Sequence, residues 1–290
     1  MTSASTVLVP LDGSVRATAA LPVASRLAGL LHATVVLLHV GEDAIAPSEL
    51  LERMSLSDED ILGLVVEYRL GVPADVIVQE AAERRAAMIV MCPQVRIDAR
   101  SRTFGSVAEA VLCAAPCPVV LVPPARGRER WELRKVLVPH DGTPTSAVTI
   151  GPATDFAAMA AAELVVLHVA TPDSQRTIEP GTLVVPRYID QPHHEWLAWT
   201  QEFLHRLRAV GGGKNDMAIR LAVAQGEAGA AIVEFARQSD FIVLGWRGAL
   251  EPDRALTVRH VIRDTTCPVM MLRLDPNGGS GNGHHQRRTL

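Results

Sequence analysis

The chain has 290 residues, 48% apolar, 21% charged and 4% aromatic, with a formal net charge of -4. At roughly 100 to 200 residues per domain, this length reads as two domains, each able to bury its own core without a disulfide scaffold. Lys and Arg are scattered, which argues against a nucleic-acid footprint or a polybasic membrane patch, and the apolar runs fall short of the roughly 20 residues a spanning helix needs.

The N-terminal stretch MTSASTVLVPLDGS has no charged region followed by a signal core, so a cytoplasmic location is expected. Cys92, Cys113, Cys117 and Cys267 form no C-x-x-C pair and read by default as buried structural thiols, except that Cys92 is expected in a loop at the ligand cleft, where it alone should label quickly with a thiol reagent.

In chain order, β-branched runs predict strands near 6–11, 34–40, 64–70, 87–92 and 118–122. Between the first two, Ala17, Ala20, Leu21, Ala24, Leu27, Ala28 and Leu31 recur at helical spacing after Ser14, a fitting N-cap. The same pattern returns near 135–140, 164–169, 217–223, 240–245 and 268–273. VLVPLDGS at 7–14 matches VLVPHDGT at 136–143, and APCPVVLV at 115–122 matches TTCPVMML at 265–272. A duplication with an insertion at about 172–200 in the second copy accounts for the changing offsets. Continuously apolar strands alternating with Ala-rich helices predict an α/β fold with a parallel sheet in each copy.

The expected domains are therefore 1–123 and 135–274, joined by a linker at 124–134 and followed by a disordered tail at 275–290. Trp196, Trp199 and Tyr188 in the insertion read either as a helix covering the sheet or as a partner surface, with Pro192 at a helix start. His193, His194 and Glu195 lack the second His of a metal-binding H-E-x-x-H.

VLVPLDGS on the first strand, LLHV on the second and FGSVAEAVLCAAPCPVVLV at the domain end resemble the universal stress protein family, in both copies. The resemblance implies two tandem five-stranded sheets of order 3-2-1-4-5, Rossmann-like, whose last strands pair antiparallel about a pseudo-two-fold axis. It also implies that ATP binders carry G-x2-G-x9-G-[ST] after the fourth strand, where glycines admit the ligand and a helix N-terminus receives phosphate. The first copy reads Cys92-x2-Val95-x9-Gly105-Ser106, with Pro93 removing a backbone donor. The second keeps Gly245-x2-Gly248 but has Val258-Arg259 at the later spacing.

The family pattern carried onto this sequence gives Pro10, Asp12, Val40, Gly105, Ser106 and Val107 as the first set of candidate contacts. The second set is Pro139, Asp141, Val169, Gly245, Gly248 and Arg259. Asp12 and Asp141 fit a turn or helix cap as well as a ligand contact at a sheet switch point. Arg96, Arg100, Arg102, Arg247, Arg254 and His260 read mainly as solvated loop faces, and His39 and His168 as satisfied core histidines, whereas Arg259 is expected at a helix N-terminus, where a bound phosphate or carboxylate would offset the cost of a cation against the dipole.

The function expected is a non-enzymatic stress-response module that senses a small molecule or adenine nucleotide, with ATP binding weak or absent, the second copy favoured over the first as the binder, and no metal required. The internal pseudo-dimer is a candidate for further homodimerisation and for unidentified protein partners. An interaction module without ligand and a slow nucleotide hydrolase are the alternatives.

Overall fold

A computed structural model describes residues 5–42, 45–57, 59–98, 101–124, 130–170, 182, 201–206, 209, 218–248 and 255–274. The insertion residues Tyr188, Pro192, His193, His194, Glu195, Trp196 and Trp199, together with Arg100, Arg254 and the tail at 275–290, lie outside the described residues, as do the side chains of Arg96 and Arg102.

The first copy runs β1 (Thr6–Leu11), a 3-10 turn (Val15–Ala19), α1 (Ala20–Leu31), β2 (Thr34–Gly41), α2 (Pro47–Arg53), β3 (Val65–Leu70), α3 (Pro73–Glu83) and β4 (Met88–Met91). It continues through β5 (Val95–Asp98), β6 (Ser101–Phe104), α4 (Ser106–Ala114) and β7 (Val119–Leu121). The second copy runs β8 (Lys135–His140), α5 (Pro144–Ala147), α6 (Ile150–Ala160), β9 (Glu163–Ala170) and β10 (Ile219–Gln225). It ends with α7 (Ala228–Ala236), β11 (Phe241–Trp246), α8 (Leu256–Asp264) and β12 (Val269–Arg273).

Local signals set these boundaries twice over. Ser14 caps the first turn through Ala17 N–H, and Thr143 does the same for Ser146. Gly13 and Gly142 take φ of 81° and 85°, and helices α1 and α6 both end on a left-handed residue, His32 and Ala161. Each pair lies 129 residues apart, as in the duplicated strands.

Each copy contributes a parallel sheet of order 3-2-1-4-5, β3-β2-β1-β4-β7 and β10-β9-β8-β11-β12. The two become one ten-stranded sheet because β7 and β12 pair antiparallel, with Val120 opposite Met270 at the centre. Cys117 and Cys267 therefore fall at opposite ends of the seam, and no disulfide joins any of the four cysteines.

Alternate strand residues feed two cores: Val7, Val9 and Leu11 pack with α1 and α6 on one face, while Leu8 packs with α3 and α4 on the other. The described end of the linker, residues 130–134, is docked through Trp131. Trp131 is 3% exposed, stacks 5.7 Å from Phe241 and donates its indole N–H to the Asp240 carbonyl at 3.3 Å. Among the described residues no helix is long and apolar enough to cross a membrane.

Candidate functional site

Each copy has a cavity at the carboxyl ends of its central strands, the switch point of an open α/β sheet. The first measures about 310 Å³ and is lined by Pro10, Asp12, Val40, Gly105, Ser106 and Val107, with apolar walls that include Leu38, Ile77 and Met91. All six expected contacts of that copy meet there. The second is smaller, about 190 Å³, and gathers Pro139, Asp141, Val169 and Gly245, with Arg247, Thr257 and Val258 beside them.

In the first cavity, Asp12 is held from both sides. Its Oδ1 accepts from the Ser14 backbone N–H at 2.9 Å and hydroxyl at 2.6 Å, while Oδ2 accepts from the Gln94 amide at 2.6 Å. Burial alone would raise this carboxyl, but the hydrogen bonds from Ser14 and Gln94 outweigh it and lower the pKa. The turn reading and the cavity reading of Asp12 thus describe one geometry. Gln94 was not foreseen from the sequence.

The long motif loop is a two-stranded hairpin, with Val95 opposite Phe104 and Asp98 opposite Ser101. Extended backbone suits the β-branched Val95, so no glycine is required there. Gly105 is favoured for a different reason: a methyl at its Cα would lie 3.1 Å from the Gln94 carbonyl oxygen, a tight contact. Gly105 is also the N-cap of α4 and supplies no side-chain cap, leaving the helix start facing the cavity.

The second copy replaces apolar positions with a buried polar chain. His140 and Ser146 stand where the first copy has Leu11 and Ala17. The Gly142 N–H donates to His140 Nδ1 at 2.8 Å, so the ring proton sits on Nε2 and points to Ser146 Oγ at 3.2 Å. Ser146 then donates to Asp141 Oδ1 at 2.6 Å, which also accepts from the Thr143 N–H and hydroxyl. This direction is opposite to that of a nucleophile activated by histidine, because His140 offers Ser146 a proton instead of taking one.

Burial pushes His140 down to about 4, outweighing the raising effect of the Asp141 carboxylate, with a smaller lowering from His168. For Asp141, burial would raise the pKa, but hydrogen bonds from Ser146 and Thr143 prevail and lower it. Phe203, fully buried in the helical residues 201–206, packs 5.4 Å from His140 and 5.5 Å from His168. His168 donates Nδ1–H to the His140 carbonyl at 3.0 Å, as His39 does to Leu11 at 2.7 Å.

Arg259 needs a positional correction. Helix α8 starts at Leu256 after the N-cap Ala255, so Arg259 lies one turn inside it, not at its first residue. The reason is loop length. Nine residues separate Val95 from Gly105, including the hairpin, whereas six separate Gly248 from Ala255. Arg259 therefore matches Glu109 of α4, and the two pair at 3.4 Å between the copies. Neither Arg259 nor Gly248 is among the residues lining the second cavity.

The universal stress protein family model matches residues 4–123 and 132–273. No curated protein matches the chain. Among solved structures, a functionally unknown protein from Pseudomonas aeruginosa PAO1 is similar at 18% identity and a TM-score of 0.63, covering 95% of this chain and 94% of that one. A universal stress protein from Archaeoglobus fulgidus DSM 4304 is similar at 17% identity and a TM-score of 0.59, covering 94% and 97%. The cytoplasmic domain of a prokaryotic cation chloride cotransporter is similar at 12% identity and a TM-score of 0.52, covering 97% of both chains. With one sheet order in both copies, the strand-end motifs intact and the family model matched over each half, the chain belongs to the universal stress protein family in its tandem form.

Proposed function

We propose that the protein is a non-catalytic, adenine-nucleotide-responsive regulator whose ligand site is the first cavity. The observation that carries this reading is the meeting of six candidate contacts, the Asp12 carboxylate and the uncapped start of α4 in one cavity of about 310 Å³. That volume lies at the lower end of the roughly 300 to 1,000 Å³ typical of small-ligand pockets. The apolar wall of Leu38, Val40, Ile77 and Met91 suits a flat base, and the N–H groups at the start of α4 suit a phosphate.

The second cavity is the poorer candidate, because it is smaller and Gly245 is already packed against other side chains. The His140-to-Ser146 direction gives no support to hydrolysis. Regulation would follow from differential affinity of the ligand for two conformations or assemblies.

Calorimetry with ATP tests the reading, comparing wild type with Ser106→Glu. Ser106 is exposed and begins α4, so the glutamate is favourable to the helix while it repels phosphate. Loss of one charge-assisted contact worth about 1.5 to 3 kcal/mol lowers affinity by about 10- to 100-fold. Unchanged binding in Ser106→Glu, or turnover of ATP by the wild type, counts against the proposal.

A further inference from the structure

The second copy retains Gly245 and Gly248 although its cavity is small, and both glycines are already in close contact. A methyl on Gly245 would lie 2.8 Å from Thr149 Cγ2 and 2.9 Å from Leu274 Cδ1. At Gly248, where φ is +79°, it would lie 3.0 Å from Arg273 Nε. Thr149, just before α6, fills part of this space, and the other side chains, Arg273 and Leu274, come from the end of the last strand.

The two copies differ here for a covalent reason. In the first, the ladder beside β4 ends when Val122 N–H reaches the Met91 carbonyl at 2.9 Å, and Pro123 and Pro124 have no N–H with which to continue. In the second, Arg273 and Leu274 occupy the corresponding positions. Arg273 pairs with Trp246 in the register, and Leu274 N–H reaches the Trp246 carbonyl at 2.7 Å. Arg273 is further tied to the first copy by a bond to the Cys113 carbonyl at 2.9 Å. Leu274 is 8% exposed and lines the second cavity as well as the interdomain groove of about 280 Å³.

We infer that Leu274 is a built-in occupant of the second site and Arg273 its anchor: the strand extension lies against Gly245 and Gly248, and Leu274 narrows this cavity to about 190 Å³, against about 310 Å³ in the first. The choice of ATP as probe rests on the nucleotide reading above. The retained glycines then serve the protein's own chain, and displacement of two residues exposes a second site of the same ligand class.

The test restores the first copy's sequence, Arg273→Pro with Leu274→Pro, and measures ATP stoichiometry by calorimetry. The expected change is from one site per chain to two, and, when Ser106→Glu is present in both proteins, from one weakened site to that weakened site plus a second that Ser106→Glu does not affect. Stoichiometry unaltered by the proline pair in a folded chain overturns the plug. Wild type without binding but a proline variant that binds overturns the first-cavity reading and leaves the plug standing. Silence in both overturns both.

A second measurement needs no ligand. Gly245→Ala should lower the melting temperature, and Leu274→Ala should relieve part of that loss. Strictly additive losses overturn the packing role.

Discussion

Replacing His140 with leucine, the residue at the matching position of the first copy, should remove a defined part of the protein's acid sensitivity. The wild-type ring is neutral and 4% exposed, with its pKa held at about 4 chiefly by burial, against about 6.5 when unfolded. The unfolded chain therefore binds more protons between these values. This contribution is complete above the unfolded pKa and is lost as the pH falls toward the folded one.

At pH 5 nearly every unfolded ring is protonated but only about a tenth of folded ones, which amounts to about 2 kcal/mol relative to pH 7.5. For a chain of this size that corresponds to about 4 °C in melting temperature. Calorimetric melts at pH 7.5 and pH 5 should show the acid-induced drop reduced by that amount in His140→Leu with Ser146→Ala, the pair that restores the first copy's apolar positions. His168, whose pKa burial also lowers, keeps a smaller drop in the variant. An identical drop in wild type and variant would refute the assignment of the proton uptake to His140.

Other perturbations test the site and the seam. Cys92 faces the first cavity, where its sequence position suggests quick labelling, but burial pushes its thiol up to about 11; the scarcer thiolate is partly offset by its higher nucleophilicity, so with a thiol reagent at neutral pH it should react about 10-fold more slowly than an unperturbed cysteine. Rapid single-site labelling of Cys92 would contradict this. Arg259→Ala removes a partly exposed ion pair and should cost less than about 1 kcal/mol in denaturant melts, with ATP affinity unchanged. Glu80→Ala removes the more buried of the two carboxylates shared by Arg69 and Arg84, leaving Glu67, and should cost about 1 kcal/mol, a loss readable from the urea midpoint.

The repeated motifs carried the fold because each strand-end signal has a local cause that survives duplication: the cap at Ser14 or Thr143, the glycine at 13 or 142, and the apolar run before it. The sheet order came through the family resemblance. Arg259 was misplaced because the motif spacing was carried unchanged into the second copy, although the flanking matches show that three residues are missing from this loop.

Other features depended on tertiary placement. Gln94 reaches Asp12 across 82 positions, and Phe203 arrives from beyond the insertion to cover two histidines. One signal was present and unused: aligning the copies sets His140 against Leu11 and Ser146 against Ala17, polar side chains where the other copy needs apolar ones.

The antiparallel seam between β7 and β12 has a thermodynamic consequence. Were the partners separate chains, this junction would form and dissolve with protein concentration. Here the linker, anchored by Trp131, makes the encounter intramolecular, and a tether gives such partners an effective concentration on the order of millimolar. The ten strands should therefore stay joined under dilution that would separate an equivalent pair of single-copy subunits, and the cross-copy contact between Arg259 and Glu109 is kept at the same strength in every molecule, however scarce the protein.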